Sequence, residues 1–143
     1  MELTIKVNQE RTEKWKKFLF DIYVTALEGG ISYWADIQKY RWSKDIPEVD
    51  AEDLPTEERD DIEGFKAVIK DYENYFTGKR TISKHTIERA LKRICQGSVK
   101  HLNESRRERI LKCILANEMD ANMDADDADC IVQIGLFGQV VFG

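Results

Sequence analysis

The chemistry-bearing residues nearest a recognisable pattern are Asp120, Asn122 and Asp124, spaced like the opening of a calcium loop. Such a loop turns sharply at its sixth position, normally glycine, and closes with a bidentate carboxylate at its twelfth. Those positions hold Ala125 and Ile131, so no metal is expected. The carboxylates of DADDAD (124–129) suit the start of a helix instead, where they cap free amides and complement the helix dipole. Two histidines, His85 and His101, stand sixteen residues apart in basic segments, with no sign of a base held beside a serine or cysteine. Phosphate loops, dinucleotide glycine fingerprints, His-Glu-x-x-His and Cys-x-x-Cys are all missing from the sequence. The expectation is a non-enzyme with no catalytic residues and no cofactor.

A binding site is better signalled by ALEGGISYW (26–34). Glycines let a backbone approach a ligand closely. Flat aromatics stack on rings while a Tyr or Trp polar edge finds a partner. Gly29, Gly30, Tyr33 and Trp34 are therefore ligand-binding candidates, and the same residues also suit a capped turn followed by core packing. Gln133 joins them as the one amide inside the apolar run CIVQIGLF (130–137), since a buried amide must find hydrogen-bond partners.

These residues need a scaffold, and the 143-residue chain fits one domain, 1–143, able to bury roughly 68–70% of its unfolded surface. It is 42% hydrophobic and 34% charged, which reads as folded and soluble. No stretch approaches a membrane span, and the N-terminus has no signal-peptide core. Cys95, Cys113 and Cys130 are odd in number and far apart, so reduced, buried thiols are expected.

The net charge of −5 is unevenly spread. Lys44 to Glu63 carries ten acids against Lys44 and Arg59, and Lys79 to Lys112 carries eleven Lys/Arg against Glu88, Glu104 and Glu108. Glu118 to Asp129 then has six acids and no base. Opposed blocks within one chain suggest internal pairing or head-to-tail assembly. Arg89, Lys92, Arg93, Arg106, Arg107 and Arg109 lack the interleaved aromatics of single-strand binders. Direct nucleic-acid binding is not expected.

Alternating Leu3, Ile5 and Val7 predict a short strand, with Asn8 capping the helix after it. Trp15, Phe18, Leu19, Ile22, Tyr23, Ala26 and Leu27 recur at helical steps, and Gly29 is a natural left-handed stop. Ile31 to Trp42 suit a strand, although Trp34, Ile37 and Gln38 also fit a helix, and Phe65 to Tyr75 suit a second strand with a turn closed by Gly78. Residues 43–61 read as an acidic flexible loop, and Glu52, Asp53, Glu57 and Glu58 there are partner-binding candidates. Ser83 caps a helix flanked by Ile82 and Ile87 at hydrophobic-staple spacing, and Asn103 opens another. The last helix starts in DADDAD and ends at Gly138. The fold class is α+β: a helix-rich single domain with a small two- or three-stranded antiparallel sheet. Because the last helix and the VVFG tail are apolar on nearly every side, a second subunit is expected to cover them. Val140–Phe142 would then pair as a strand across a homodimer or larger assembly.

ALEGGISYW, ISKHTIERALKRI and DADDADCIVQIGLFGQVVFG together resemble a group of small phage-encoded accessory proteins. Those run from an EGG-x-x-YW segment to an Asp-x-Ala-Asp-x-Ile-Val-Gln-x-x-Leu-Phe-Gly-x-Val-Val-x-Gly tail. The likeness covers both ends and most of the helical part, and is weakest over 43–61. Gly135 stands where a slightly larger small residue is common in that group, a departure expected to be harmless. The resemblance implies phage origin, action in the bacterial host cytoplasm and no catalytic residue. Counter-defence by binding is the implied role, either by sequestering a small nucleotide-like immune signal or by blocking a host defence protein complex. A structural or regulatory subunit is the third option.

Overall fold

The computed structural model describes residues 2–42, 49–50, 64–76, 78–119 and 123–143. Four helices, α1 (Glu2–Thr25), α2 (Lys84–Gln96), α3 (Glu104–Ala116) and α4 (Ala125–Phe137), accompany an antiparallel sheet. The sheet has three main strands, β1 (Ala35–Arg41), β3 (Lys66–Asp71) and β4 (Arg80–Ser83), and the two-residue β2 (Val49–Asp50) at its edge, in the order β2-β1-β3-β4. This is the expected helix-rich α+β domain. Among the described residues no helix is long and apolar enough to cross a membrane.

The strand expected at Leu3–Val7 is instead the first part of α1. Alternation over five residues is a weak signal beside a helix that already runs from Asn8. Each further residue added to a formed helix gains a backbone hydrogen bond without a new nucleus.

Nor does Gly29 stop that helix with a left-handed turn. The chain widens into a π turn, Ala26–Gly30, closed by the Ile31 N–H donating to the Ala26 carbonyl at 3.0 Å. The reason for glycine lies at Gly30. A Cβ there would come within 2.7 Å of the Ala125 carbonyl oxygen. The wide turn thus lets the α1 end lie directly on the start of α4.

The sheet is fastened to α1 by Tyr23. Its buried hydroxyl lies 2.9 Å from the Arg41 carbonyl and 2.7 Å from that of Lys66, two residues paired across β1 and β3. Burial holds this phenol well above its ordinary pKa, so it stays a neutral donor. Phe20, Trp42 and Phe65 pack around the Tyr23 ring, with Phe65 at 4.4 Å between centroids. In β1 the register shifts between Ile37 and Lys39. That irregularity lets Ala35 and Tyr40, five residues apart, both be buried, which strict alternation forbids.

The expected helix ends around the basic segment are found. Ile82 and Ile87 are fully buried on either side of Ser83, whose N–H donates to Thr86 Oγ1 at 3.1 Å. Asn103 Oδ1 accepts from the Arg106 N–H at 2.8 Å. At α4, Asp124 Oδ1 accepts from the Asp127 N–H at 2.8 Å, and Gly138 closes the helix at φ 79°.

The basic block meets the acidic start of α4 here. Asp127, fully buried, accepts from Arg106 at 2.7 Å and Arg109 at 3.0 Å, tying α3 to the acidic start of α4. Arg89 donates twice to the Gly135 carbonyl, and Arg107 donates to the Ile94 and Gly97 carbonyls at the end of α2. Four of the block's eleven cations, Arg89, Arg106, Arg107 and Arg109, therefore act as internal fastening. All three cysteines are free, but Cys95 is exposed, against expectation, while Cys113 is buried.

At Gly135 an added Cβ would overlap the Thr86 carbonyl, so glycine fits where a larger residue would not. One expectation for the C-terminus is corrected. Residues 140–142 form no strand. The tail turns back onto its own chain, and Ile131, Val132, Gln133 and Ile134 of α4 are buried within one molecule. Leu136 to Phe142 stay only partly buried.

Candidate functional site

Gly30, Tyr33, Trp34 and Gln133 do come together, joined by two residues the sequence reading did not single out, Asp129 and Phe142. The π turn brings Tyr33 and Trp34 against α4, and Asp129 and Gln133, four residues apart, share the helix face opposite them. Asp129 Oδ1 accepts from Trp34 Nε1 at 2.7 Å and from Gln133 Nε2 at 2.9 Å, and Tyr33 O–H lies 2.6 Å from Asp129 Oδ2. Gly29 lies at the edge, exposed, its Cβ position 3.9 Å from Ala125 Cβ.

Gln133 also holds the tail. Its Oε1 accepts from the Val141 and Phe142 N–H groups at 2.8 and 2.7 Å, and its Nε2 donates to the Phe142 carbonyl at 3.0 Å. Tyr33 O–H lies 3.0 Å from that same carbonyl. The buried amide thus finds its partners as expected, but in its own chain.

The Phe142 ring lies nearly parallel on the Trp34 indole, 4.8 Å between centroids and 8° apart. Phe137, Phe76 and Tyr75 pack around this pair, and the Arg80 guanidinium stands over the Phe76 and Phe137 rings at 5.4 and 5.8 Å. Trp34 is buried, whereas Tyr33, Tyr72 and Tyr75 are 54%, 62% and 69% exposed. The 26–34 segment is therefore both core and rim, with Trp34 inside and Tyr33 at the surface.

Electrostatically the site is a buried acid among neutral donors. Burial raises the Asp129 pKa above the usual carboxylate range, against the lowering effect of its hydrogen bonds from Tyr33, Gln133 and Trp34. Partial burial, followed by the neighbouring carboxyl, pushes the Tyr33 phenol up. Burial likewise pushes the adjacent Cys130 thiol up to about 11, so it is not a nucleophile at neutral pH.

Elsewhere, an open depression of about 500 Å³ lies along α2, lined by Trp15, His85, Glu88, Lys92 and Ile114 among others. His85 and His101 are exposed. Among the described residues no cluster of three His, Cys, Asp or Glu side chains is arranged to hold a metal ion. Asp124 is a helix cap, and Asp120 and Asn122 lie outside the described residues. Glu52, Asp53, Glu57 and Glu58 lie outside them too, as does the rest of 43–61 apart from Val49–Asp50.

Asp129 carried one signal that sequence reading could have used. It is a carboxylate four residues before a glutamine in an otherwise apolar helix, and so shares its buried face. Phe142 carried none, because its place depends on the tail folding back. Comparison of the chain with family models, curated proteins and solved structures finds no match.

Proposed function

We propose that this chain is a non-catalytic binding protein that sequesters a small ligand bearing a flat, nucleobase-like ring, in the slot now filled by its own Phe142. The observation that carries this is the parallel stack of Phe142 on Trp34, the arrangement a base adopts on an aromatic platform. Beside the stack, the Gln133 amide presents an acceptor and a donor, the pair with which a glutamine reads the edge of a base. Gly138, in the left-handed region, is the hinge about which the five residues after it would swing away. The resemblance to phage accessory proteins makes the ligand a host immune signal and the setting the bacterial cytoplasm, as parts of the same proposal.

The test follows from competition. Intrinsic tryptophan fluorescence and calorimetry with mononucleotides and cyclic dinucleotides, on the wild type and on Phe142→Ala, should show tighter binding by the variant, because its competing ring is gone. Absence of binding by a folded Phe142→Ala protein overturns the reading.

A second reading, blockade of a host defence protein, draws on the exposed Tyr33, Tyr72 and Tyr75 near the tail. Tyrosine is enriched among residues that dominate protein interfaces. Tyr75→Ala combined with Tyr72→Ala should leave nucleotide binding intact and abolish counter-defence if that reading is the correct one.

A further inference from the structure

The hydrogen-bond groups around Asp129 do not fit an ionised carboxylate. Five contacts of 3.0 Å or less join Asp129, Trp34, Tyr33, Gln133 and the Phe142 carbonyl. The donors available are one indole N–H, one phenol O–H and the two hydrogens of the Gln133 amide, four in all. Trp34 and Gln133 fill three contacts, to Asp129 Oδ1 twice and to the Phe142 carbonyl once. The two that remain both run from the Tyr33 oxygen, at 2.6 Å to Asp129 Oδ2 and 3.0 Å to the Phe142 carbonyl. One phenolic hydrogen can serve both only by sharing, as that of Tyr23 does between two carbonyls. The 2.6 Å contact to Oδ2 is that of a full bond, and with Asp129 ionised it leaves the Phe142 carbonyl facing mainly an oxygen lone pair.

A fifth hydrogen on Asp129 Oδ2 completes the set. It donates to the Tyr33 oxygen, which then turns its own hydrogen to the Phe142 carbonyl. We propose that Asp129 is a specificity-determining positioning residue that holds a proton while the tail is bound, and so makes Tyr33 a donor toward whatever occupies the slot. The slot then presents one acceptor, Gln133 Oε1, and two donors, Gln133 Nε2 and Tyr33 O–H. The tail matches that pattern with two N–H groups and one carbonyl. Loss of the proton reverses Tyr33, which must then donate to the carboxylate and offer a lone pair. An occupant with a carbonyl at that point is released, and one with a donor there is favoured.

The surroundings fit a neutral acid. Tyr33 faces Asp129 from the turn, and Asp126 and Cys130 lie near it on α4, the first adding negative charge. Of the cations on the neighbouring helices, Arg106 and Arg109 of α3 pair with Asp127, Arg89 of α2 donates to the Gly135 carbonyl, and Arg93 of α2 lies against Gly138 at the far end of α4. Glu28 of the π turn is exposed, as is Lys100, whose carbonyl accepts from the Val140 N–H. Among the described residues no ion pair reaches Asp129. Burial raises its pKa, as a carboxyl without a countercharge requires.

This inference concerns the slot of the proposed ligand site and rests on that reading only for its relevance to a foreign occupant. The proton itself is tested on the free full-length chain, without ligand. Carbon-13 chemical shift of the Asp129 carboxyl and amide exchange protection of Val141 and Phe142 are followed between pH 4 and 9. The expected result is a midpoint above the ordinary carboxylate range, with tail protection falling over the same interval, by about tenfold per pH unit above the midpoint. Asp129→Asn should keep the tail protected at every pH, since its amide donates to Tyr33 and its oxygen accepts from Trp34 and Gln133. Asp129→Leu should lose tail protection while Ile69 in β3 stays protected, which separates loss of the tail from loss of the fold. A neutral-acid shift throughout, with the tail protected throughout, also sustains the proposal. An ionised Asp129 beneath a fully protected tail overturns it, as does an Asp129→Asn chain that loses tail protection over the wild-type pH interval. Either result leaves the nucleotide-binding test untouched.

Discussion

Gly135 and Thr86 meet backbone to backbone: an added Cβ on the glycine would overlap the Thr86 carbonyl. The contact sets the approach of α4 to α2, and Arg89 reinforces it by donating twice to the Gly135 carbonyl. Thr86 sits in the first turn of α2, so its carbonyl cannot move without unwinding that helix. Gly135→Ala should cost about 3 kcal/mol, the upper end of ordinary overpacking penalties. Urea denaturation of the wild type and variant measures it. A loss below about 0.5 kcal/mol would mean that the helices part easily.

Asp127 and Asp124 lie in the same turn and should differ sharply. Asp127 is fully buried, caps back to the Asp124 N–H at 3.2 Å and accepts from two arginines, whereas Asp124 is exposed. Asp124→Ala should cost about 1 kcal/mol, the usual value of a lost helix cap. Asp127→Ala should cost at least about 2 kcal/mol, through the lost ion pairs and the two arginines left facing a buried gap. Thermal melts of both variants rank them.

Phe142→Ala removes the ring stacked on Trp34 while leaving the main-chain hydrogen bonds of the tail available. The side chain is only half-buried, so the cost should be about 1–2 kcal/mol rather than the ~3–5 kcal/mol of a core phenylalanine. Quenching of tryptophan fluorescence by acrylamide should rise, since the face of Trp34 becomes accessible. Unchanged quenching would show that another group covers the indole.

The pH dependence has a fixed sign. The folded pKa of Asp129 is raised above its unfolded value, so between the two the native chain binds the extra proton. The stability this contributes is therefore full below the ordinary carboxylate value and is lost as pH rises through the folded pKa. Asp129→Asn should flatten that part of the curve. Denaturant midpoints of wild type and variant, measured from pH 4 to 8, should converge at the acid end and separate at the neutral end, with the variant the more stable there.

Helix and strand identities were legible where one periodicity ran long enough, as in Trp15 to Leu27, or where a cap and staple coincided, as at Ser83, Ile82 and Ile87. They were misread where two patterns competed. Leu3, Ile5 and Val7 alternate like a strand but continue a helix already nucleated downstream. Gly29 looks like a left-handed stop, yet the glycine requirement arises one residue later, from a carbonyl on a helix some ninety-five positions away. The slot was half legible for the same reason. Tyr33, Trp34 and Gln133 announce themselves by type, whereas Phe142 gains its role from a tail path that no local pattern encodes. The charge blocks signalled internal pairing, and Asp127 with Arg106 and Arg109 is one such pairing.

The clasp on the tail reads main chain. Gln133 takes two N–H groups and one carbonyl, which every peptide possesses, and only the Phe142 ring adds side-chain identity. Gln139 and Val141 are accordingly free to drift in sequence without loosening the grip, whereas Val140 also packs against the core. The same indifference exposes the slot to any stray extended peptide with a flat side chain. On the proposed reading of the slot, a tethered occupant held at high local concentration by the five residues after Gly138 would keep such passers-by out, as the chain's own placeholder.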